Sequence, residues 1–335
     1  MSSRRQRAIA LALATSLLAT LAGPGPAAAG APPAPGSCQL FPEFSGPPGS
    51  PSAADQSAWN QDVSQAPKHP RSDRYLKRIR KLGGNQRLHP DFGGNGEYGI
   101  PYEVVPPTQP EVNVTPVAYP DESDFGLAPI PPDADVEGGS DRHVLVVRQG
   151  SPCELFELYR ARSLGAAEAN AWEADSTAYW NLGSAGLRPE GWTSADAAGL
   201  PILPGLVRHD EVAAGSVEHA IRATFDTTRR AYVHPATHYA SSKCGRSLPP
   251  MGLRLRLKRG YYEKHLDDFE ASSQARPIFE ALYRYGLIVA DNGSNWFFTG
   301  ASDEAWDDDD VGALKDVPGR AFLVVDSEAP VTTPC

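Results

Sequence analysis

The chain has 335 residues and a formal net charge of −10, from 31 Lys and Arg against 41 Asp and Glu. Such an acidic surface repels nucleic acid and anionic membranes, so neither is expected as a partner. Gly (31) and Pro (32) together make about a fifth of the chain, which favours short strands and long ordered loops over helical bundles.

Arg4, Arg5 and Arg7 form a basic n-region, Ala8 to Ala22 an apolar stretch, and Ala27-Ala28-Ala29 an Ala-x-Ala cleavage site. A membrane span needs about twenty apolar residues, and Gly23-Pro24 stops this run too early. Residues 1–29 are therefore expected to be a signal peptide and the chain to be secreted. Their removal leaves 28 bases against the same 41 acids. Residues 30–57, rich in Pro, Gly, Ser and Ala, read as a disordered leader. Residues 58–335 read as a single globular, monomeric domain.

Four cysteines remain: Cys38, Cys153, Cys244 and Cys335. An even count in an exported chain reads as two disulfides, with three possible connectivities. We favour Cys38–Cys153 with Cys244–Cys335, the latter stapling a terminal tail.

Along the chain, the pattern predicts a short polar helix at 72–81, then Pro- and Gly-broken loops over 83–140 with β-prone pieces at 102–105 and 111–117. Residues 143–148 and 153–159 read as a hairpin, and 217–225 with 231–233 as another. Leu253, Leu255 and Leu257 alternate with Arg254, Arg256 and Lys258, a strand with one apolar and one basic face. Ser272-Ser273 can cap a helix running to about Tyr285, with Ile278, Leu282 and Tyr285 on its apolar side. Residues 287–290 and 296–299 read as strands joined by the tight turn Asp291-Asn292-Gly293-Ser294. Residues 321–325 form a last strand. The expected fold is mostly β, an antiparallel β-sandwich or jelly roll with one or two peripheral helices.

Four segments are familiar together: Trp59 to Ser64 (WNQDVS), His89 to Gly93 (HPDFG), Gly191 to Gly205 (GWTSADAAGLPILPG) and Tyr285 to Ser294 (YGLIVADNGS). With them the chain resembles, over nearly all of 58–326, a family of secreted and mostly uncharacterised soil-bacterial proteins. The resemblance implies a single domain and carries no activity.

The polar residues gather in a few places. His89 and Asp91, two apart in a Pro/Gly turn, suit substrate binding or a loop clamp. Asp121, Glu122 and Asp124, with Glu137 and Asp141-Arg142-His143 downstream, are oxygen-rich in the manner of Ca²⁺ sites, without EF-hand spacing. A structural Ca²⁺ is therefore the one candidate cofactor, and none is required. Asp307 to Asp310 suit a helix N-terminus, or again Ca²⁺. Asp196, His219 and Arg222 are candidate catalytic residues, with Trp192 a candidate substrate contact. Arg222 and His219 are three apart, so a regular strand would point them to opposite faces. His238 and Tyr239, beside Arg254 and Arg256, are what β-elimination of an acidic sugar requires: a cation for the carboxylate and a proton carrier. If the reaction is instead hydrolysis, Asp196, Glu122, Asp210 and Glu211 are the carboxylates to test. Six Trp and twelve Tyr suggest an exposed stacking platform. Together these features point to a secreted carbohydrate-active protein that cleaves an extracellular polysaccharide, as glycoside hydrolase or lyase. The alternative is a non-catalytic carbohydrate- or envelope-binding module.

Overall fold

A computed structural model of the protein describes Cys38 and residues 57–332. The expected signal peptide, the expected leader before residue 57 apart from Cys38, and Cys335 lie outside the described residues.

The molecule is mostly sheet. The largest sheet has the order β1 (His89–Asp91), β14 (Phe297–Thr299), β10 (Ile221–Phe225), β13 (Leu287–Asn292), β12 (Arg254–Leu257) and β15 (Phe322–Val324). The second holds β2 (Glu103–Val105), β5 (Val144–Arg148), β6 (Glu154–Tyr159) and β9 (Ser176–Asn181). The third holds β4 (Leu127–Ala128), β3 (Val112–Pro116), β8 (Trp172–Ala174) and β7 (Arg162–Ser163). A short pair joins β11 (Ala231–Tyr232) to β16 (Val331–Thr332).

These sheets are mixed, which corrects the expectation of purely antiparallel pairing. β1–β14, β10–β13, β2–β5 and β3–β8 are parallel. Parallel neighbours need a crossover of a dozen or more residues. The chain supplies one between β10 and β13, where it also forms α3 (Arg259–His265) and α4 (Ala275–Arg284).

The hairpin of β5 and β6 forms as expected, antiparallel from Val144↔Leu158 to Arg148↔Glu154. Both faces of β5 are apolar and both are used. Leu145 and Val147 enter the main core, while Val144 and Val146 enter a second core with Val114, Ala128 and Trp172 of the third sheet. The second sheet is thus buried from two sides, the condition in which strands lose polar alternation.

Two other expected hairpins do not form. Residues 217–225 yield β10, which pairs with β13 and β14, while β11 pairs with β16. β13 and β14 flank β10 rather than each other, so the turn at 291–294 leads around an inserted strand. Burial of Ile221, Ala223 and Phe225 in the centre of the sheet outweighs the local turn.

α1 (Ser72–Leu82) buries Tyr75 and Ile79 and packs against β15. α4 buries Ile278 and Leu282 against β12, and Ser272 Oγ accepts from Ala275 N at 3.0 Å at its start. Two short helices, α2 (His209–Ala213) and α5 (Asp308–Gly312), complete the set. Cys38 is bonded to Cys153 across a sequence separation of 115. Cys244 is also disulfide-bonded; its expected partner, Cys335, lies outside the described residues.

Candidate active site

The segment 192–199 is folded by its own hydroxyls. Ser194 Oγ accepts from Asp196 N at 2.8 Å and reaches Leu200 O at 2.6 Å. Ser176 Oγ donates to Ser194 O, and Ala198 N donates to Ala290 O on β13. Gly199 has φ +69°, and a Cβ there would lie 2.3 Å from Thr237 Oγ1 and 2.6 Å from Trp192 O. Only glycine closes that turn.

The turn delivers Asp196 to Arg222 of β10. Arg222 Nε meets Asp196 Oδ2 at 2.8 Å and Nη2 meets Oδ1 at 3.0 Å, a two-pronged ion pair. Nη1 donates to Thr299 Oγ1 at 2.8 Å, and Nη2 also lies 3.3 Å from Asp291 Oδ2. Asp291 reaches this place because the β10–β13 register slips between Ala223↔Val289 and Thr224↔Asp291.

A second cation stands close by. His143 Nδ1 lies 2.5 Å from Glu137 Oε2 and Nε2 lies 3.0 Å from Ala195 O. Both oxygens are acceptors, so both ring nitrogens carry protons and the ring is an imidazolium. Burial opposes that charge, but the Glu137 bond outweighs it and holds the His143 pKa above its ordinary value. Burial likewise opposes the Glu137 charge, and His143 holds that carboxyl below its usual range.

Asp196 and Glu137 are therefore each closely paired with a cation, and two further carboxyls are less fully compensated. Burial, with the Asp196 charge beside it, pushes Asp291 up to about 7 against the pull of Arg222. Crowding by the protein also raises Asp91, with His89, Arg222 and Glu137 among its neighbours. The four carboxyls differ in access: the Asp196 side chain is sealed at 0% exposure, whereas Asp291 reaches solvent at 23% and Glu137 at 19%. Asp91 is exposed. Asp291 is thus an accessible acid that holds its proton near neutrality, whereas Glu137 is an accessible carboxylate kept ionised.

Glu157 is a useful contrast, because burial pushes it up to about 7 as well. It is sealed, however, and accepts from Ile202 N, Leu203 N and Trp180 Nε1. It pins the 200–206 segment.

Beside Asp91 a cleft of about 490 Å³ opens, lined by His89, Tyr98, Phe297, Asp308 and Lys315 among others. The parallel register His89↔Phe297 stacks the imidazole on the phenyl ring, 4.0 Å apart and 17° from coplanar.

Of the residues singled out in the sequence, Asp196, Arg222 and Asp91 come together. The Asp196 side chain is sealed from solvent and holds Arg222. His219 belongs elsewhere: its Nε2 meets Glu211 at 3.1 Å and its Nδ1 meets Ala220 O, inside a clamp with Arg208. His238 bonds Ala197 O at 2.8 Å and stacks on Tyr239. Trp192 lies half-buried under the Arg188 guanidinium.

The basic face of β12 is not a solvated face, contrary to expectation. Arg254 is buried and donates to the carbonyls of Tyr285, Ala58 and Gln61 at 2.7–2.8 Å. Arg256 donates to Leu257 O and Ala66 O. Neither guanidinium is free to neutralise a sugar carboxylate.

The acidic loops are occupied by protein donors. Glu122 accepts from Thr193 N, and Asp124 from Tyr179 N and Arg188, while Asp121 sits on an exposed turn. Asp307 caps α5, and Asp310 receives Ser272, Gln274 N and Ala275 N at the start of α4. No group of three or more metal-ligating side chains occurs among the described residues. Tryptophan contributes little to the expected aromatic platform, since Trp59, Trp172, Trp180, Trp296 and Trp306 are buried, while Tyr98, Tyr119 and Tyr179 are exposed.

Sequence reasoning passed over Asp291 as a turn residue, and took Glu137 and His143 only as neighbours of the acidic loop. A carboxylate closing the apolar run Leu287–Ala290 is the signal that could have flagged Asp291. No helix among the described residues is long and apolar enough to cross a membrane. No protein-family model, curated protein or solved structure matches the chain.

Proposed function

We propose that this is a secreted glycoside hydrolase acting on an extracellular polysaccharide, with Asp291 as proton donor and Glu137 as its anionic partner. The observation that carries this reading is the accessible Asp291 carboxyl, held protonated up to about 7, and the accessible, ionised Glu137, both of which interact with the Arg222 charge. Glycosidic cleavage asks for that division of labour between two carboxyls. Asp291 gives its proton to the leaving oxygen, and its new charge is met by Arg222. Glu137, oriented by His143, faces the positive charge that develops on the sugar ring or activates water.

The arginines on which the lyase reading relied, Arg222, Arg254 and Arg256, are all engaged within the protein. A binding module built on exposed tryptophans has little support, since five of the six Trp are buried. The second and third sheets, facing each other across a shared core, are read as the sandwich-like part of the fold. The Cys38–Cys153 bond fits export to an oxidising compartment.

The test is a panel of neutral, acidic and amino polysaccharides with products identified by mass. Hydrolysed fragments, lost in Asp291→Asn and Glu137→Gln, support the reading. Unsaturated products, or unchanged activity in both variants, overturn it.

A further inference from the structure

We infer that the cleft beside Asp91 is a sugar subsite selective for a protonated amino sugar, such as a de-N-acetylated hexosamine. This rests on the hydrolase reading and names its substrate class. The cleft, about 490 Å³, falls in the range of small-ligand sites. One wall is flat and aromatic, the stacked His89 and Phe297. Tyr98, 56% exposed, stands over Gly94, where a Cβ would meet its ring at 2.7 Å. Such surfaces take the apolar face of a pyranose.

The charges choose among sugars. Asp91, Asp308 and Lys315 line the cleft and form no ion pair among the described residues. Asp308 spends Oδ1 on Gly94 N at 2.8 Å, which fixes the carboxylate and leaves Oδ2 available. Burial and Lys315 lower the His89 pKa, so the imidazole is neutral and adds no positive charge. Two carboxylates thus face one ammonium, next to the acid-rich cluster around Arg222. A uronate is repelled, a neutral sugar gains only stacking, and a ring bearing –NH₃⁺ gains a charge-assisted hydrogen bond.

Calorimetric titration of full-length Asp291→Asn protein separates binding from turnover. Its probes are a glucosamine tetramer, an N-acetylglucosamine tetramer and a galacturonate tetramer at neutral pH. We expect the glucosamine tetramer to bind about tenfold tighter than the acetylated one, with the galacturonate weakest. Asp308→Asn, which keeps the Oδ1 acceptor for Gly94 N, should erase most of that preference, as should Asp91→Asn. Equal or tighter binding of the acetylated or acidic tetramer overturns the assignment, as does a preference unmoved by both substitutions. Selective binding without cleavage of the glucosamine tetramer by the wild-type protein supports the subsite and removes the hydrolase.

Discussion

Asp196 and Asp291 share a single guanidinium nitrogen, Arg222 Nη2, at 3.0 and 3.3 Å. They are not equivalent, because Asp196 holds two prongs of the cation and is sealed, while Asp291 holds one and faces water. The less compensated carboxyl is therefore the one that keeps its proton.

Asp291→Asn is expected to reduce hydrolysis by at least about a hundredfold, the scale of a lost general acid. Wild-type activity should fall as pH rises through about 7, where Asp291 loses its proton. Stability moves the same way. The folded pKa lies above the unfolded value, so the native state binds more protons between about 4 and 7 and loses stability across that window as pH rises. The variant should show a flatter dependence of melting temperature on pH. An equally steep profile would place the titrating group elsewhere.

Asp196→Asn should behave differently. It leaves the Arg222 charge buried without its main partner, a loss of about 3–5 kcal/mol. Replacing both partners, Asp196→Leu with Arg222→Met, should recover much of that loss while leaving activity abolished. Chemical denaturation of the two variants decides whether the pair is a strut as well as a support for Asp291.

Arg254→Ala is expected to cost about 3 kcal/mol, since a buried side chain is removed and the carbonyls of Tyr285, Ala58 and Gln61 lose their donor at once. Lys258→Ala, on the exposed end of the same alternation, should stay within about 0.5 kcal/mol. Similar losses in both would contradict the division between buried and solvated cations.

Thiol titration of denatured, unreduced protein should find no reactive cysteine. Replacing Cys38 and Cys153 together by Ser should destabilise the fold by about 4 kcal/mol, because the bond closes a loop with a separation of 115 residues.

Chelation should leave the melting temperature unchanged, since the oxygens of Glu122, Asp124, Asp307, Asp308 and Asp310 already receive protein donors. A drop restored by added Ca²⁺ would mean that one of these loops binds the ion after all.

What the sequence determined by itself was local. Sequence patterning identified α1, α4, β5, β6 and β12, and cysteine parity implied two disulfides, of which the favoured Cys38–Cys153 forms. These follow from backbone geometry and near neighbours along the chain. It also brought Asp196, Arg222 and Asp91 forward as candidates. Partner choice was a tertiary matter. β10 enters between β13 and β14 because a central position buries Ile221, Ala223 and Phe225, and no local pattern encodes that gain. The same insertion and the slipped register carry Asp291 to Arg222. The fate of charges was tertiary as well. Arg254 reads as a surface cation in an alternating strand, yet carbonyls from segments nearly two hundred residues away, Ala58 and Gln61, complete its shell. Desolvation and opposing charge depend on what closes over a group, so the acid at Asp291 is created only when the sheet is assembled.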